Sequence, residues 1–311
     1  MSKQGRMQED STSTSSSETS DSTEMSGRFR QQTEPPSPVA VAQAEKELRE
    51  TPEVVAESLK ELRALLEKDG TLNFRTDDEV LLIFLRPCKF YAQSAFELMG
   101  RVADFKVKHQ ATIGNCMPDE EKQAWLEHKI VNVLVDRDQH GRRVLIANLG
   151  SLWDTKNISG DTVFKLFYLI HILAMGEPEG QIRGVVVVLD FDGLGMKQVA
   201  QLTPNFSLRL LSFIQEAMPL RLKEVHIVRQ PFIFNIVWKV FTPFLQTKLK
   251  SRITFHSNKF GQLHTMLGKH MLPAEYGGDL PPLDYSSKDW YPTIKECEAQ
   301  IEEWNSWGRK K

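Results

Sequence analysis

The side chains most capable of catalysis follow or lie within two apolar runs of the sequence. Asp190 and Asp192 come directly after the run in "GVVVVLDFDGLG", and His226 lies within "VHIV". Ligands of α/β proteins bind at the carboxyl ends of strands, where the two acids would lie. A carboxylate and an imidazole are common general acids and bases. One hypothesis is therefore an enzyme that uses Asp190 and His226.

Other signatures of catalysis are missing from the sequence. Gly193 and Gly195 do not continue into a G-x-G-x-x-G fingerprint, since Gln198 and Val199 follow them. The sequence also lacks a P-loop, a G-x-S-x-G elbow and an H-E-x-x-H motif. We therefore interpret Asp190 as an acid that stabilises a turn.

Histidine and cysteine spacing does not predict a metal site. His171 and His226 stand among apolar residues, which is typical of a core or pocket-wall histidine. Cys88, Cys116 and Cys297 are far apart and odd in number, so neither a disulfide framework nor a metal cluster is expected. We predict ordinary thiols, no metal, no cofactor and no catalytic residues.

Composition favours a cytoplasmic globular protein. The chain has 311 residues, of which 41% are hydrophobic, enough to bury a large core in one or two domains. A net charge of −2 does not suggest nucleic-acid binding. We found no uncharged apolar run of about 20 residues and no apolar secretory core at the N-terminus. We expect a cytoplasmic monomer that makes transient peripheral contact with membranes.

The segment "LKEVHIVRQPFIFNIVWKVFTPFLQTKLKSR" combines large apolar side chains with cationic ends. From residue 221 to 252 there are seven cations and one acid, so this part of the chain carries a local charge of +6. Lys239 and Pro243 exclude a membrane span. A molecule with this charge distribution would present one face to an anionic surface.

On a helical wheel, this segment has one narrow polar stripe. The stripe consists of Asn235, Lys239, Thr242, Gln246 and Lys250. The remaining positions are almost entirely apolar, whereas an ordinary surface helix has an apolar arc near 100°. The pattern fits a buried core helix, and it also fits a movable lid that covers an apolar cavity and contacts a bilayer.

The N-terminal third predicts a tail and then a helical domain. Residues 1–40 are rich in Ser and Thr, which predicts a disordered tail. Thr51 and Pro52 begin a helix that Gly70 ends, and Asp77 can cap the next helix. A later helix carries Phe96, Met99, Ala103 and Val107 on one face. We predict a small helical domain at 45–115.

The rest of the chain predicts an α/β domain. The runs "IVNVLV" and "RVLIANL" flank a polar turn and indicate a hairpin. Helices then alternate with β-branched strands, the pattern of an α/β sheet with crossover helices. This domain is expected at 120–285, followed by a helical and basic tail at 286–311, whose final "GRKK" we expect to be frayed.

Four ordered motifs resemble the CRAL-TRIO lipid-transfer family. They are "DDEVLLIFLRPCKF", "VVLDFDGLG", "AMPLRLKEVHIVRQPFIFNIVWKVFTPFL" and "LPAEYGG". The resemblance covers about residues 45–285 and is closest to the branch of the α-tocopherol transfer protein and cellular retinaldehyde-binding protein. It implies a mainly parallel sheet flanked by helices, a gate helix at about 230–251 and a preceding all-α domain.

The resemblance also implies a function and its residues. The protein would carry one hydrophobic molecule and exchange it at membranes that contain phosphoinositides. The matching phosphate-binding positions are Arg221, Lys223, Lys248 and Arg252. The matching cavity positions are Phe164, Phe167, Tyr168, His171, Val185, Val187, Leu189, Phe213, Val225, Phe234, Val237, Trp238, Phe241 and Leu245. Strand alternation independently puts Val185, Val187 and Leu189 on one face.

The cargo stays open between a retinoid, tocopherol and another lipid. Phe167, Tyr168 and His171 are bulkier than the residues that the tocopherol carrier has there. The resemblance to that carrier therefore does not by itself assign tocopherol as the ligand of this protein. A retinoid with its polar end near Tyr168 or His171 fits as well. The alternative to a carrier is an adaptor that uses the apolar segment 230–251 as a permanent protein-binding surface.

Overall fold

The computed structural model describes residues 29–128, 130–283 and 290–310. The predicted disordered tail falls mainly on residues 1–28, which lie outside the described residues. The N-terminal region is helical. Its helices are α1 (Pro38–Leu48), α2 (Pro52–Asp69), α3 (Asp78–Leu85), α4 (Ala92–Lys108) and α5 (Gln110–Ile113). A short strand, β1 (Leu72–Asn73), lies between α2 and α3.

Local capping signals set the ends of these helices, as predicted. The Thr51 hydroxyl accepts a hydrogen bond from the Val54 amide at 3.3 Å, at the start of α2. Gly70 ends α2 with a φ of 64°, a left-handed conformation that favours glycine. Asp77 caps α3. The predicted buried face of α4 was wrong at Val107, which is 58% exposed, because the helix packs through a face one position away, at Lys106.

A five-stranded sheet forms the centre of the molecule, and its mainly parallel order confirms the predicted fold class. The antiparallel hairpin of β2 and β3 is at one edge, and β3 to β6 run parallel. The strands lie in the order β2 (Val131–Val133), β3 (Arg143–Asn148), β4 (Val185–Asp190), β5 (Leu222–Val228) and β6 (Ile253–Ser257).

The remaining helices cover the sheet. Between α5 and the sheet lie a 3-10 helix (Pro118–Glu121) and α6 (Lys122–Glu127). The crossovers contain α7 (Gly160–Met175), α8 (Pro178–Arg183), α9 (Met196–Gln201), α10 (Pro204–Ser212) with a π-helical turn (Phe213–Ala217), α11 (Phe234–Phe241), a 3-10 helix (Thr242–Phe244) and α12 (Thr247–Lys250). After β6 come α13 (Gly261–Leu267) and two 3-10 helices (Lys269–Met271 and Ala274–Tyr276).

The two faces of β4 have different surroundings. Val186 and Val188 are fully buried in a core that includes Leu263 and Leu267 of α13. Val185, Val187 and Leu189 are half-buried on the opposite face. The unbroken β-branched run in "GVVVVLDFDGLG" predicts a strand buried on both faces, yet only one face is tightly packed. The other face borders a cavity.

Both ends of the described part of the chain pack onto the body of the protein. The C-terminal elements are α14 (Tyr291–Glu296), α15 (Glu298–Ser306) and β7 (Gly308–Arg309). Strand β7 pairs antiparallel with β1, so "GRKK" is not frayed over its described part. At the other end, Phe29 is buried against the Arg143 guanidinium, 4.8 Å from the ring centroid. The first described helix begins at Pro38, before residue 45, and the predicted domain bounds stay a prediction.

Candidate functional site

An apolar cavity lies between the half-buried face of the sheet and helices α7, α10 and α11. Its volume is about 200 Å³. The sheet contributes one wall because alternate side chains of β4 and β5 point to this face. Helix α7 contributes another wall, with its N-terminus capped by Ser159, whose hydroxyl accepts from the Thr162 amide at 3.1 Å.

The structure brings twelve of the fourteen predicted cavity residues to this wall. They are Phe167, His171, Val185, Val187, Leu189, Phe213, Val225, Phe234, Val237, Trp238, Phe241 and Leu245. Their role in binding a ligand stays a prediction, but their positions enclose one shared space.

Phe164 and Tyr168 do not line the cavity. Both are fully buried in an aromatic layer behind the wall, and the Tyr168 hydroxyl accepts a hydrogen bond from the Trp304 indole at 2.8 Å. Phe164 packs edge-on against Phe213, with 5.8 Å between the ring centroids. Helix α7 is apolar nearly all round, so its sequence does not reveal which face meets the cavity. The C-terminal helix α15 takes the face that holds Tyr168.

Sequence reasoning missed a group of wall residues on α10 and the turn after it. These are Phe206, Leu210, Leu211, Ile214 and Met218. Phe206, Leu210, Ile214 and Met218 recur at intervals of four, so a helical wheel of this region could have indicated them. Leu145 of β3, Leu202 and Ile253 of β6 also line the cavity.

Polar side chains at the cavity wall are mostly paired. The Arg143 guanidinium and the Glu177 carboxylate form a buried ion pair at 2.8 Å, and Arg137 reaches the same carboxylate at 2.8 Å. The Gln31 amide donates to the Leu173 carbonyl at 2.7 Å. Burial of such groups is tolerated because each has a partner. The wall is therefore apolar in effect.

Residues 230–251, the gate segment, cover the cavity. The predicted continuous helix is wrong, because Pro243 lies in a 3-10 turn and Leu245 is extended between α11 and α12. Phe234 and Val237 are buried facing the cavity, whereas Phe232 is 91% and Ile236 is 45% exposed. The gate segment thus presents apolar groups on both sides.

Ring contacts hold α11 in place. Trp238 lies edge-on against Phe255, with 5.0 Å between centroids, and Phe234 packs against Phe191 at 4.7 Å. The C-terminal end of the gate segment is fastened by polar bonds, since the Gln215 amide donates to the Phe244 carbonyl at 3.0 Å. Aromatic contacts therefore hold α11, and hydrogen bonds hold the C-terminal end of the gate segment.

Three of the four predicted phosphate-binding residues lie at the amino-terminal edge of the neighbouring strands β5 and β6. Arg221 and Lys223 both contact Glu47 of α1, and the Arg252 guanidinium donates to the Leu222 carbonyl. Burial, and then the charge of Arg221, lower the pKa of Arg252. Lys248 is exposed on α12.

Glu47 was not anticipated as part of this cluster. Hydrogen bonds from Arg221 and Gln43, together with the charges of Lys223 and Arg221, outweigh the opposing effect of burial and lower the pKa of Glu47 to about 2. The carboxylate is therefore ionised at neutral pH and balances part of the cationic charge.

The sequence profile of the CRAL/TRIO domain matches residues 127–278. Clavesin-1 of Rattus norvegicus is 30% identical to this chain over 261 residues, which cover 83% of the chain and 73% of that protein. The chain belongs to the CRAL-TRIO family. Clavesin-2 of Homo sapiens is 29% identical over 265 residues, covering 84% of the chain and 80% of that protein.

The CRAL-TRIO fold is also seen in a solved structure. The crystal structure of Sfh5 has a TM-score of 0.51 and 13% identity, and covers 78% of this chain and 96% of that one. At this identity the likeness concerns the fold alone. The domain match and the clavesin relatives confirm the predicted family. Members of this family are lipid-binding transfer proteins, which supports a lipid-binding carrier. The branch within the family stays a prediction.

The "DFDGLG" and "LPAEYGG" motifs of this CRAL-TRIO protein meet at Asp190. The carboxylate accepts from the Tyr276 hydroxyl at 2.8 Å, the Arg229 Nε at 3.0 Å and the Asp192 amide at 3.0 Å. His226 lies elsewhere on that sheet face, with Nδ1 2.9 Å from His256 Nε2. Asp190 joins two motifs of the fold, and neither Asp190 nor His226 lines the apolar cavity.

Within 29–128, 130–283 and 290–310, no group of three or more His, Cys, Asp or Glu side chains could hold a metal ion. Over those ranges, no helix of this CRAL-TRIO protein is both long and apolar enough to cross a membrane.

Proposed function

We propose that this protein carries one hydrophobic molecule in the cavity under the gate segment and exchanges it at phosphoinositide-containing membranes. The observation that carries the proposal is an apolar cavity whose cover is apolar on both sides. A cover of this kind can face the cargo when closed and the acyl chains of a leaflet when open. Cytoplasmic location and transient membrane contact belong to this proposal.

The exposed side of the gate segment supports membrane contact. Phe232 is almost fully exposed, and Ile236, one helical turn on, is also exposed. Phe255 of β6 and Met196 of α9 add further exposed apolar surface. Insertion of such groups into the acyl boundary gains free energy in proportion to the apolar area that is buried.

The cationic cluster supports binding to anionic headgroups. Arg221, Lys223, Lys248 and Arg252 flank the gate segment in sequence, and three of them lie on adjoining strand ends. Phosphoinositide phosphates would pair with these cations and orient the gate segment towards the bilayer. The cluster would thus select the membrane while the apolar face enters it.

The cavity volume limits the cargo. At about 200 Å³, the cavity is smaller than the roughly 300–1,000 Å³ that is typical of small-molecule sites. We expect the gate segment and the wall around Phe167 to move apart when cargo enters. A retinoid, a tocopherol or a similar single-chain lipid is the size class proposed.

Native mass spectrometry of the purified chain, followed by extraction and identification of the released molecule, is the first test. We expect one apolar molecule per chain. Transfer of that molecule between vesicles with and without phosphatidylinositol bisphosphate then tests exchange. Charge reversal by Lys248→Glu should slow transfer to the phosphoinositide vesicles. Lys60→Glu, at an exposed position of α2, is the matched control.

Each outcome discriminates between the hypotheses. A chain that stays empty after incubation with retinoids, tocopherols and phospholipids, and that forms a stable complex with another protein, would establish the adaptor. The chain could instead bind cargo and transfer it at rates that do not depend on phosphoinositide, on salt or on Lys248→Glu. That result would support a lipid carrier but contradict the proposed membrane selectivity. Turnover that is lost in Asp190→Asn without unfolding would establish an enzyme.

A further inference from the structure

His171 is a polar side chain in the apolar wall of the cavity. It lies on α7 and is 4% exposed. The rings of Phe213, Tyr168 and Trp304 surround it, at centroid distances of 4.6, 4.8 and 5.6 Å. A buried imidazole in such surroundings requires hydrogen bonds to offset its desolvation.

The partner of one ring nitrogen determines the tautomer. His171 Nδ1 faces the backbone carbonyl of Tyr168, and a carbonyl oxygen can only accept a hydrogen bond. Nδ1 must therefore carry the proton. Burial lowers the pKa of His171 to about 3, so the ring is neutral at physiological pH and Nε2 has a free lone pair. Nε2 is thus an acceptor.

That acceptor has no partner in the described part of the chain. The Nε2 atom is shielded from solvent and no described group donates to it. Buried polar atoms in native proteins nearly always have a partner, and His171 is a residue of the cavity wall, so cargo in the cavity is a candidate partner for Nε2. Gln31 and the pair of Arg143 and Glu177 bond to protein groups. Trp290 Nε1, on another residue of the wall, is also unpaired, but an indole N–H can only donate, so it does not compete with Nε2 for a hydrogen of the cargo.

We propose that His171 Nε2 accepts a hydrogen bond from the cargo, which is therefore a neutral lipid with an O–H or N–H group at its polar end. The inference rests on the proposed carrier function and names its cargo class. Alcohols, phenols and amides can donate this bond. Aldehydes, ethers, esters and ionised carboxylates offer only acceptors and would leave Nε2 unpaired.

The test compares matched ligands that differ only in the donor. The delipidated full chain is titrated with α-tocopherol and its methyl ether, retinol and retinyl methyl ether, and octadecanol and its methyl ether. Quenching of tryptophan fluorescence reports binding, because Trp238 lines the cavity. We expect each hydroxyl compound that binds to bind about tenfold more tightly than its ether, since an unpaired buried acceptor is costly.

Variants then assign the preference to one side chain. His171→Leu removes the acceptor. It should lower the affinity for the hydroxyl compound and so abolish the preference over the ether. Phe167→Leu alters the same wall without a polar atom and should change both members of a pair alike. Equal binding of both members to the unaltered chain, or a preference that persists in His171→Leu, would overturn the inference alone. Absence of binding by all six compounds would overturn the carrier proposal and the inference together.

Discussion

The Glu47 carboxylate of α1 lies 2.6 Å from the Arg221 guanidinium and 3.4 Å from the Lys223 ammonium. An N-terminal helix thereby neutralises part of the cluster that we propose to bind phosphoinositide phosphates. An anionic headgroup and Glu47 would compete for the same two cations.

Glu47→Gln should raise the affinity for vesicles that contain phosphatidylinositol bisphosphate, because it removes a competing anion. We expect a gain of about two- to tenfold at low salt, shrinking as salt screens the charges. Vesicle sedimentation measures it. Glu45→Gln, at an exposed position of the same helix, is the control. Equal gains in both variants would show a general charge effect.

Phe232→Ser should slow cargo transfer to vesicles without changing cargo binding. Phe232 is 91% exposed, so the free energy of unfolding should change by less than about 0.5 kcal/mol. Loss of one inserted aromatic ring would lower the transfer rate by about tenfold. Val39→Ser, at a residue that is 67% exposed on α1, should leave transfer unchanged. A normal transfer rate in Phe232→Ser would contradict membrane insertion there.

Substitutions at adjacent positions of β4 should affect different properties of the protein. Val187→Phe projects into the cavity and should reduce cargo binding while stability changes by less than about 1 kcal/mol. Val188→Phe overpacks the core on the other face and should destabilise the protein by about 1–3 kcal/mol. Cargo titration and urea unfolding measure the two effects. Strong destabilisation by Val187→Phe would argue against the cavity.

Arg229→Met should destabilise the protein by about 3 kcal/mol in urea unfolding, because it leaves the Asp190 carboxylate buried without its cation. Asp190 is 1% exposed and keeps only neutral partners in this variant. Arg229→Lys retains a positive charge but cannot form a bidentate pair, so its loss of stability should be smaller. Equal stability of Arg229→Met and the unaltered chain would show that the pair contributes little.

Acid should destabilise the protein through His256. Burial, and then the charge of His226, lower the pKa of His256 to about 4, from an ordinary value near 6.5. Between these values the unfolded chain binds more protons, so the free energy of unfolding falls as pH falls from about 6.5 to about 4. The neighbouring groups are His226 and, through it, Glu224, whose pKa is lowered to about 2 by bonds from His226 and Arg142.

Urea unfolding at several pH values checks this dependence. His256→Asn should reduce the slope between pH 4 and 6.5. Part of the slope should remain, because burial also lowers the pKa of His171, so protonation of this group too favours unfolding as the pH falls. An unchanged slope in His256→Asn would place the acid sensitivity in other groups.

Local sequence signals predicted the elements that depend on neighbouring residues. Thr51, Gly70 and Asp77 mark helix ends through bonds or dihedral angles that span only a few residues. The alternation of Val185, Val187 and Leu189 predicted the cavity face of β4, because the strand period is two. The motifs of the gate segment and of the strand before it indicated the family.

Long-range contacts were decided only by the tertiary structure. Glu47 bonds to Arg221, which is 174 residues away in the sequence. Strand β7, near the C-terminus, pairs with β1 of the N-terminal region. No local periodicity specifies such pairs. Helix α7 is apolar on nearly every side, so its sequence does not indicate which side borders the cavity. Helix α15 packs against the side that holds Tyr168, and the Tyr168 hydroxyl therefore bonds to Trp304 and does not line the cavity. A sequence fixes which residues avoid water, whereas packing against distant elements determines which of them border an open space.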